Sequence, residues 1–330
     1  MVTAERRWVL GTMSDPIISE RGPRLWGLVV TFHRPESLAM SLAKIAGQSR
    51  PVDHLLVVDN GSDASARGAA EAVGAFYLDA GDNRGPAGGI ALGMRHILER
   101  AQDDDWLVLF DDDDPPRTSE MLDRLWRFGQ QQHLLDAQTA AVGLVGARYD
   151  FRRGVTRRVA DEDLSGPVLV NYIGGGQLPL FRCDALRKAG VFDERLFFGF
   201  DDLEHGLRLG HAGYSLYVEG SWWLEERMFH QRTGQDAARP RTVKDVAPWR
   251  RYYSVRNAVL IARRYCGTLT AVAVGLVGAV KGGASTARGG GRISEWFLPA
   301  RGAVHGLIGL YGRRVDPGQN RKRHHDGSPQ

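Results

Sequence analysis

Between Leu25 and Asp114 the chain alternates short apolar runs with helix-spaced stretches, and the fourth run ends in four consecutive aspartates, Asp111-Asp112-Asp113-Asp114. That rhythm limits the fold more than any other feature. Leu25–Thr31 (LWGLVVT), residues 54–58 (HLLVV), 75–78 and Trp106–Phe110 (WLVLF) are too short for helices and predict buried strands. Between them, 36–47 sets Leu38, Leu42 and Ile45 at helix spacing behind Pro35, and 64–73 reads as a shorter helix. A glycine-rich loop, 81–89, opens into a third helix running to about Ala101. Strands alternating with helices imply right-handed βαβ units and a parallel sheet covered on both faces. Ligands of such sheets collect beyond the carboxyl ends of the strands. Three polar clusters fall there: 31–35, Asp59-Asn60-Gly61 and Asp111 to Asp114. Their shared placement predicts one site.

The second half is less regular. Residues 141–145 and 215–218 read as strands, 201–212 as a helix, and 152–164 as a charged, exposed stretch. Residues 171–181 contain Gly174-Gly175-Gly176. Beyond Arg239 the pattern turns helical and basic. The expected organisation is a flexible arm at 1–23, a catalytic α/β domain at 24–238, a helical region at 239–314 and a disordered basic tail at 315–330. Segment 249–265 (WRRYYSVRNAVLIARRY) combines aromatics, arginines and apolar residues, as helices lying in a membrane interface do. Residues 269–280 form the longest apolar run, too short for the roughly 20 residues that span a bilayer. The first 20 residues hold no secretory apolar segment, and Cys183 and Cys266 form neither a zinc pattern nor a disulfide framework. A cytoplasmic setting, peripheral to the inner face of the cell membrane, is therefore expected. The net charge of +4 suits phosphate-bearing ligands or an anionic membrane surface, and no nucleic-acid partner is expected.

Four adjacent carboxylates repel one another, and each raises its neighbour's pKa. A divalent cation, Mn²⁺ or Mg²⁺, removes that cost and leaves room for substrate phosphates. Asp111 and Asp113 project to one side of an extended chain, so both can face one ion. The opposing reading is a solvated acidic turn stopped by Pro115-Pro116. Asp59 could anchor an Asx-turn or contact a ligand. Loop 82–89, with Arg84, offers close backbone approach and helix amides to phosphate, but lacks the Gly-Lys-Ser/Thr of a P-loop. In Asp201-Asp202-Leu203-Glu204, Asp201 fits an N-cap and Glu204 its capping-box partner, which leaves Asp202 without a structural duty.

The strand followed by Asp-Asp-Asp-x-x-Pro, with Asp111, Asp112, Asp113 and Pro116 in register, resembles the DXD signature of the family 2 glycosyltransferases. LVVTFHRPESLAMSL, LLVVDNGSD, GDNRGPAGGIALGM and VFDERLFFGFDDLEHGLRLGHAGY are similar to that family's other segments, in the same order, from about Leu25 to His230. Within the family the chain looks most like bacterial galactofuranosyl- and rhamnosyltransferases of cell-envelope polysaccharides. The resemblance implies a GT-A fold: a Rossmann-like α/β architecture with a mostly parallel central sheet, here with a C-terminal helical extension. It also implies an inverting transfer from a UDP- or dTDP-sugar to a hydroxyl of a polyprenyl-linked or other glycan acceptor. Carried over to this chain, Asp111 and Asp113 hold the metal, with His230 as a further ligand. Thr31, Arg34, Asp59, Asn83, Gly85 and Asp112 hold the nucleotide sugar, and Asp202 is the general base. Three glycines at 174–176 replace bulkier residues of some relatives, which leaves the acceptor open, as is homo-oligomerisation. A sugar nucleotidyltransferase and an aspartate-based phosphotransferase are the competing enzyme readings. A non-catalytic scaffold would not need Asp111, Asp113 and Asp202 together.

Overall fold

Four parallel strands carry the first half of the chain. In the computed structural model, which describes residues 22–234 and 246–317, β1 (Leu25–Thr31) leads through α1 (Pro35–Ala46) to β2 (His54–Asp59). Then follow α2 (Ala64–Ala72), β3 (Phe76–Asp79), α3 (Gly85–Leu98) and β4 (Trp106–Phe110). The side-chain period of two divides each strand between two cores. Trp26 and Leu28 of β1 join Leu56, Val58, Leu107 and Leu109 under α3, whereas Leu25 and Val29 join Leu55, Val57, Val108 and Phe110 under α1 and α4 (Met121–Leu135). Both faces are thus covered, as continuous apolar strands require.

The second half completes the sheet with β5 (Thr139–Gly143), β8 (Pro167–Val170), β10 (Leu180–Arg182) and β11 (Ser215–Glu219). A small sheet of β6 (Gly146–Asp150), β7 (Val155–Arg157) and β9 (Tyr172–Ile173) stands beside it. The main sheet has the order β3-β2-β1-β4-β10-β5-β11-β8, with β10 and β8 running against the other six strands. Helices α5 (Cys183–Ala189), α6 (Asp201–His211) and α7 (Gly220–Phe229) fill in around it. Stretch 152–164 is exposed along β7, as expected, whereas Val159 and Leu164 are buried where Arg158 and Arg227 both bind Asp161 and hold the segment against α7.

Beyond the gap lie α8 (Pro248–Tyr265), α9 (Thr268–Arg288), α10 (Ile293–Trp296) and α11 (Leu298–Leu307). Two expectations are corrected here. Helix α8 is not an interfacial helix: Tyr252, Tyr253, Arg256, Asn257, Leu260 and Ile261 are buried, because its polar and aromatic groups find partners inside the protein. Helix α9 outruns the apolar stretch at 269–280, since the small residues that follow continue the helix to Arg288. Its 21 residues make it the one helix among the described residues long and apolar enough, by length and composition, to cross a membrane. The arm expected at 1–23 and the tail at 315–330 lie almost wholly outside the described residues.

Candidate active site

Strands β1, β2 and β4 are neighbours, so their carboxyl ends deliver Thr31, Asp59 and Asp111 to one edge; Thr31 pairs in register with Asp59. Thr31 Oγ1 donates to Asp112 Oδ2 at 2.7 Å, and Ser41 Oγ of α1 donates to the Asp112 carbonyl at 2.9 Å. Arg34, at the turn into α1, reaches Asp112 Oδ1 at 3.3 Å and also binds Asp113. Carboxylate oxygens of Asp111, Asp112 and Asp113 lie within 4.8 Å of one another. Burial, the hydrogen bond to Asp113 and the charges of Asp113 and Asp112 push the Asp111 carboxyl up to about 7. Burial also raises Asp112, against the opposing pull of the Thr31 hydroxyl and Arg34. A donor set of three crowded carboxylates, one exposed and two screened, fits a hard divalent cation.

Asp59 is fully buried. Its Oδ1 accepts from Gly61 N at 2.7 Å, and its Oδ2 from Asp63 N at 2.6 Å and from the Tyr77 hydroxyl at 2.8 Å. The Asx-turn role is therefore present, and it fixes the turn that follows β2. The glycine loop also has a packing role. Gly85 has φ +69°, and a Cβ there would meet the Phe197 carbonyl oxygen at 2.0 Å. A Cβ on Gly89 would meet Val30 at 2.5 Å and Asn60 at 2.7 Å. The Gly85 amide donates to Asn83 Oδ1 at 2.9 Å, and its carbonyl accepts from Asn60 Nδ2 at 3.0 Å. These glycines let α3 approach the sheet and the 197 loop, and in this conformation Gly85 has spent both backbone groups on the protein itself.

Asp202 stands opposite. The capping expectation fails: the N-cap of α6 is Phe200, held at φ 60°, with no side-chain cap. Glu204 is instead buried against Arg208 at 3.1 Å, Arg264 at 2.9 Å and the Tyr265 hydroxyl at 3.0 Å, because a buried carboxylate needs cations more than it needs the helix end. Asp201 is buried, and desolvation together with the Asp202 charge pushes it up to about 7. Asp202 is also raised by burial, while the amides of Leu203 (2.7 Å from Oδ1) and Gly175 oppose the shift.

The three glycines link the two halves, a signal the sequence carried without its meaning. A Cβ on Gly174 would lie 3.7 Å from Asp202 Oδ2, and one on Gly176 would lie 3.1 Å from Asp111 Oδ2. One short turn, delivered by β9 and β10, thus touches Asp202 at one end and the acidic cluster at the other. A side chain at 176 would crowd Asp111. His230 is not part of the cluster. It follows α7, 3.8 Å from Glu226, on the wall of a cleft also lined by Asp114, Arg117, Gly176 and Gln177. Among the described residues, the three neighbouring aspartates are the group of carboxylates, imidazoles and thiolates able to close on one ion.

Residues 28–159 match the sequence model of glycosyl transferase family 2. The chain is 36% identical over 198 residues to galactofuranosyltransferase GlfT1 of Mycolicibacterium smegmatis, covering 56% of this chain and 65% of that protein. It is 34% identical over 203 residues to GlfT1 of Mycobacterium tuberculosis, covering 57% of this chain and 65% of that protein. The alignments thus span slightly less than two thirds of these relatives' length. Among solved structures, the chain resembles mannosyltransferase PcManGT from Pyrobaculum calidifontis, solved with GDP-Man and Mn²⁺, with a TM-score of 0.51 and 17% identity over 87% of this chain and 88% of the other. It also resembles GalNAc-T7, solved with UDP, GalNAc and Mn²⁺, with a TM-score of 0.54 and 11% identity over 88% of this chain and 59% of the other.

Proposed function

We propose that this chain, whose residues 28–159 match the glycosyl transferase family 2 model, is an inverting enzyme of that family on a GT-A fold, moving a sugar from a UDP- or dTDP-sugar to a hydroxyl of a lipid-linked glycan. Galactofuranose is favoured over rhamnose by the names of the relatives. The observation that carries the reading is the glycine turn with Asp202 at one end and Asp111 at the other. Asp111 and Asp113 would hold Mn²⁺ or Mg²⁺. When bound, the ion supplies charge to stabilise the departing diphosphate. His230, on the wall of the adjoining cleft, would be a further ligand. Thr31 and Asp112 fix the floor beneath the donor, Arg34 is placed to pass from carboxylate to phosphate, and Asp59 and Asn83 shape the nucleotide side, with Gly85 seating the loop. Asp202 takes the proton of the acceptor hydroxyl as that oxygen attacks the anomeric carbon from the face opposite the diphosphate. A carboxylate whose proton affinity is raised by burial suits this work.

A membrane-facing role for the helical end belongs to the same proposal. Along α9 the small residues point inward: Gly275 packs on Val259, Gly278 on Val255 and Gly282 on Pro299. The large apolar residues point outward, with Leu269 89%, Leu276 64% and Val280 72% exposed. Water-soluble helices bury the large residues, whereas lipid-facing helices pack through small ones. Phe297, Val304 and Ile308 extend the exposed apolar face, with Lys281, Arg288 and Arg292 beside it. Such a face suits the anionic inner surface of a cell membrane, where a lipid-linked acceptor would reside.

The direct test is thermal stabilisation by a panel of nucleoside diphosphates and nucleotide sugars with Mn²⁺. A pyrimidine nucleotide should raise the melting temperature, and EDTA should abolish the rise. Asp202→Asn should retain that stabilisation and lose sugar transfer. Transfer at the wild-type rate by Asp202→Asn removes the assigned base, and a panel with no responding nucleotide removes the whole reading.

A further inference from the structure

Three of the four residues before Asp201 are held in a conformation that ordinary side chains avoid. Phe197 has φ 62° and ψ −60°, and Phe198 N donates back to the Leu196 carbonyl at 2.7 Å. That is a γ-turn of the positive-φ kind, which is rare and strained. Gly199 at φ 77° and Phe200 at φ 60° follow, so three of these four residues sit at positive φ. Strain of this sort persists only where the surroundings over-determine it. Here the surroundings are two residues of α8. Asn257, with no exposed surface, places Nδ2 3.1 Å from the Leu196 carbonyl, 2.9 Å from that of Phe198 and 2.8 Å from that of Gly199. Arg256, equally buried, donates from Nε to Asn257 Oδ1 at 2.9 Å and from Nη2 to the Leu196 carbonyl at 2.7 Å. Its other amino group binds the Gly312 carbonyl, and its guanidinium lies 4.7 Å from the Tyr253 ring.

The clamped turn faces both halves of the site. The Phe197 carbonyl oxygen occupies the space beside Gly85 on the nucleotide side, and the turn feeds through Phe200 into Asp201 and Asp202. A shift of the turn would therefore move the base relative to the donor loop. We propose that Asn257, oriented by Arg256, is a positioning residue for the transfer reaction, which sets Asp202 against the acceptor hydroxyl by fixing the 196–199 carbonyls. The inference rests on the glycosyltransferase reading. It adds a residue from outside the family-matched segment, on a helix that the sequence places in a separate region.

In Asn257→Asp the shape is kept, but the two N–H donors of Nδ2 give way to one carboxylate oxygen facing the carbonyls. Asn257→Ser is the milder partner, which removes the long reach without adding charge. Both are measured in the full-length protein beside wild type, with folding checked by circular dichroism. The readouts are the kcat and KM for UDP release from UDP-galactofuranose with a soluble alkyl-glycoside acceptor, and calorimetric affinity for UDP with Mn²⁺. Misplacement of a reacting group by about 1 Å costs about 100-fold in rate, so kcat of Asn257→Ser should fall on that order while UDP affinity stays within about threefold of wild type. Wild-type kcat in folded Asn257→Ser overturns the proposal, as does a parallel loss of UDP affinity and kcat, which would mark a general packing role. Absence of turnover in wild type with every sugar of the panel sinks the glycosyltransferase reading and this inference together, and is thereby told apart from failure of the clamp alone.

Discussion

Asp111 carries the electrostatic cost of the site. Its carboxyl is raised to about 7 by burial and by Asp113 and Asp112, so below that pH it holds a proton that a cation must displace, and above it the oxygen is free. Mn²⁺ affinity should therefore rise with pH through about 7 and fall below it, by about tenfold for each unit when one proton is exchanged. Calorimetric titration of Mn²⁺ in the presence of UDP at pH 6, 7 and 8 measures this, and a flat profile removes Asp111 from the metal site. Asp111, Asp112 and Asp113 were legible as a cluster from sequence, because a run of acids after an apolar strand has few neutral explanations. The use made of Gly85 and Gly89 was not. Glycine spacing says that something comes close, and only the coordinates show that Phe197, Val30 and Asn60 do.

Helix α6 is the element on which most constraints converge. It carries Asp202 at its start, Glu204 on the face toward α8 and His205 on the face toward α5. His205 is buried, donates from Nε2 to the Gly190 carbonyl at 3.2 Å, and stacks 4.4 Å from the Phe192 ring. Burial first, then Arg208, lowers it to about 3 from the ordinary 6.5. In the folded protein the ring is neutral throughout that interval, whereas the unfolded chain takes up a proton below 6.5. Stability should therefore be lost as pH falls from about 6.5 toward 3, by at most about 1.4 kcal/mol per unit from this residue. Buried Asp201 titrates in the opposite sense, so the quantity to read is the difference between wild type and His205→Phe in urea midpoints from pH 7 to pH 4. The gap should change steadily in favour of the variant as pH falls, and parallel curves would exclude the linkage. The helix itself was plain from its apolar spacing at Leu203 and Leu207. Its cap was not, because Asp-Asp-x-Glu satisfies the capping pattern equally well and the choice lay with Arg208, Arg264 and Tyr265.

At the scale of the molecule, α8 lies between the 196–200 turn that leads into Asp202 and the exposed apolar surface of α9 and α11, packed on both. If that surface meets lipid, the protein should sediment with vesicles containing phosphatidylglycerol, and Leu276→Asp with Val280→Asp should leave it in the supernatant. Equal sedimentation of variant and wild type would place the membrane contact elsewhere. Sequence alone determined the parallel sheet and its polar edge, since apolar runs of strand length can be buried in few ways and their ends must meet. It also determined the acidic cluster, whose members are neighbours along the chain. Tertiary structure alone decided which residues face Asp111 across the glycine turn, that α8 belongs to the core while α9 shows its apolar side outward, and that Asn257 governs a turn some 60 residues earlier. Those are contacts between distant segments, set by how close two backbones can come, and no local period in the sequence encodes that distance.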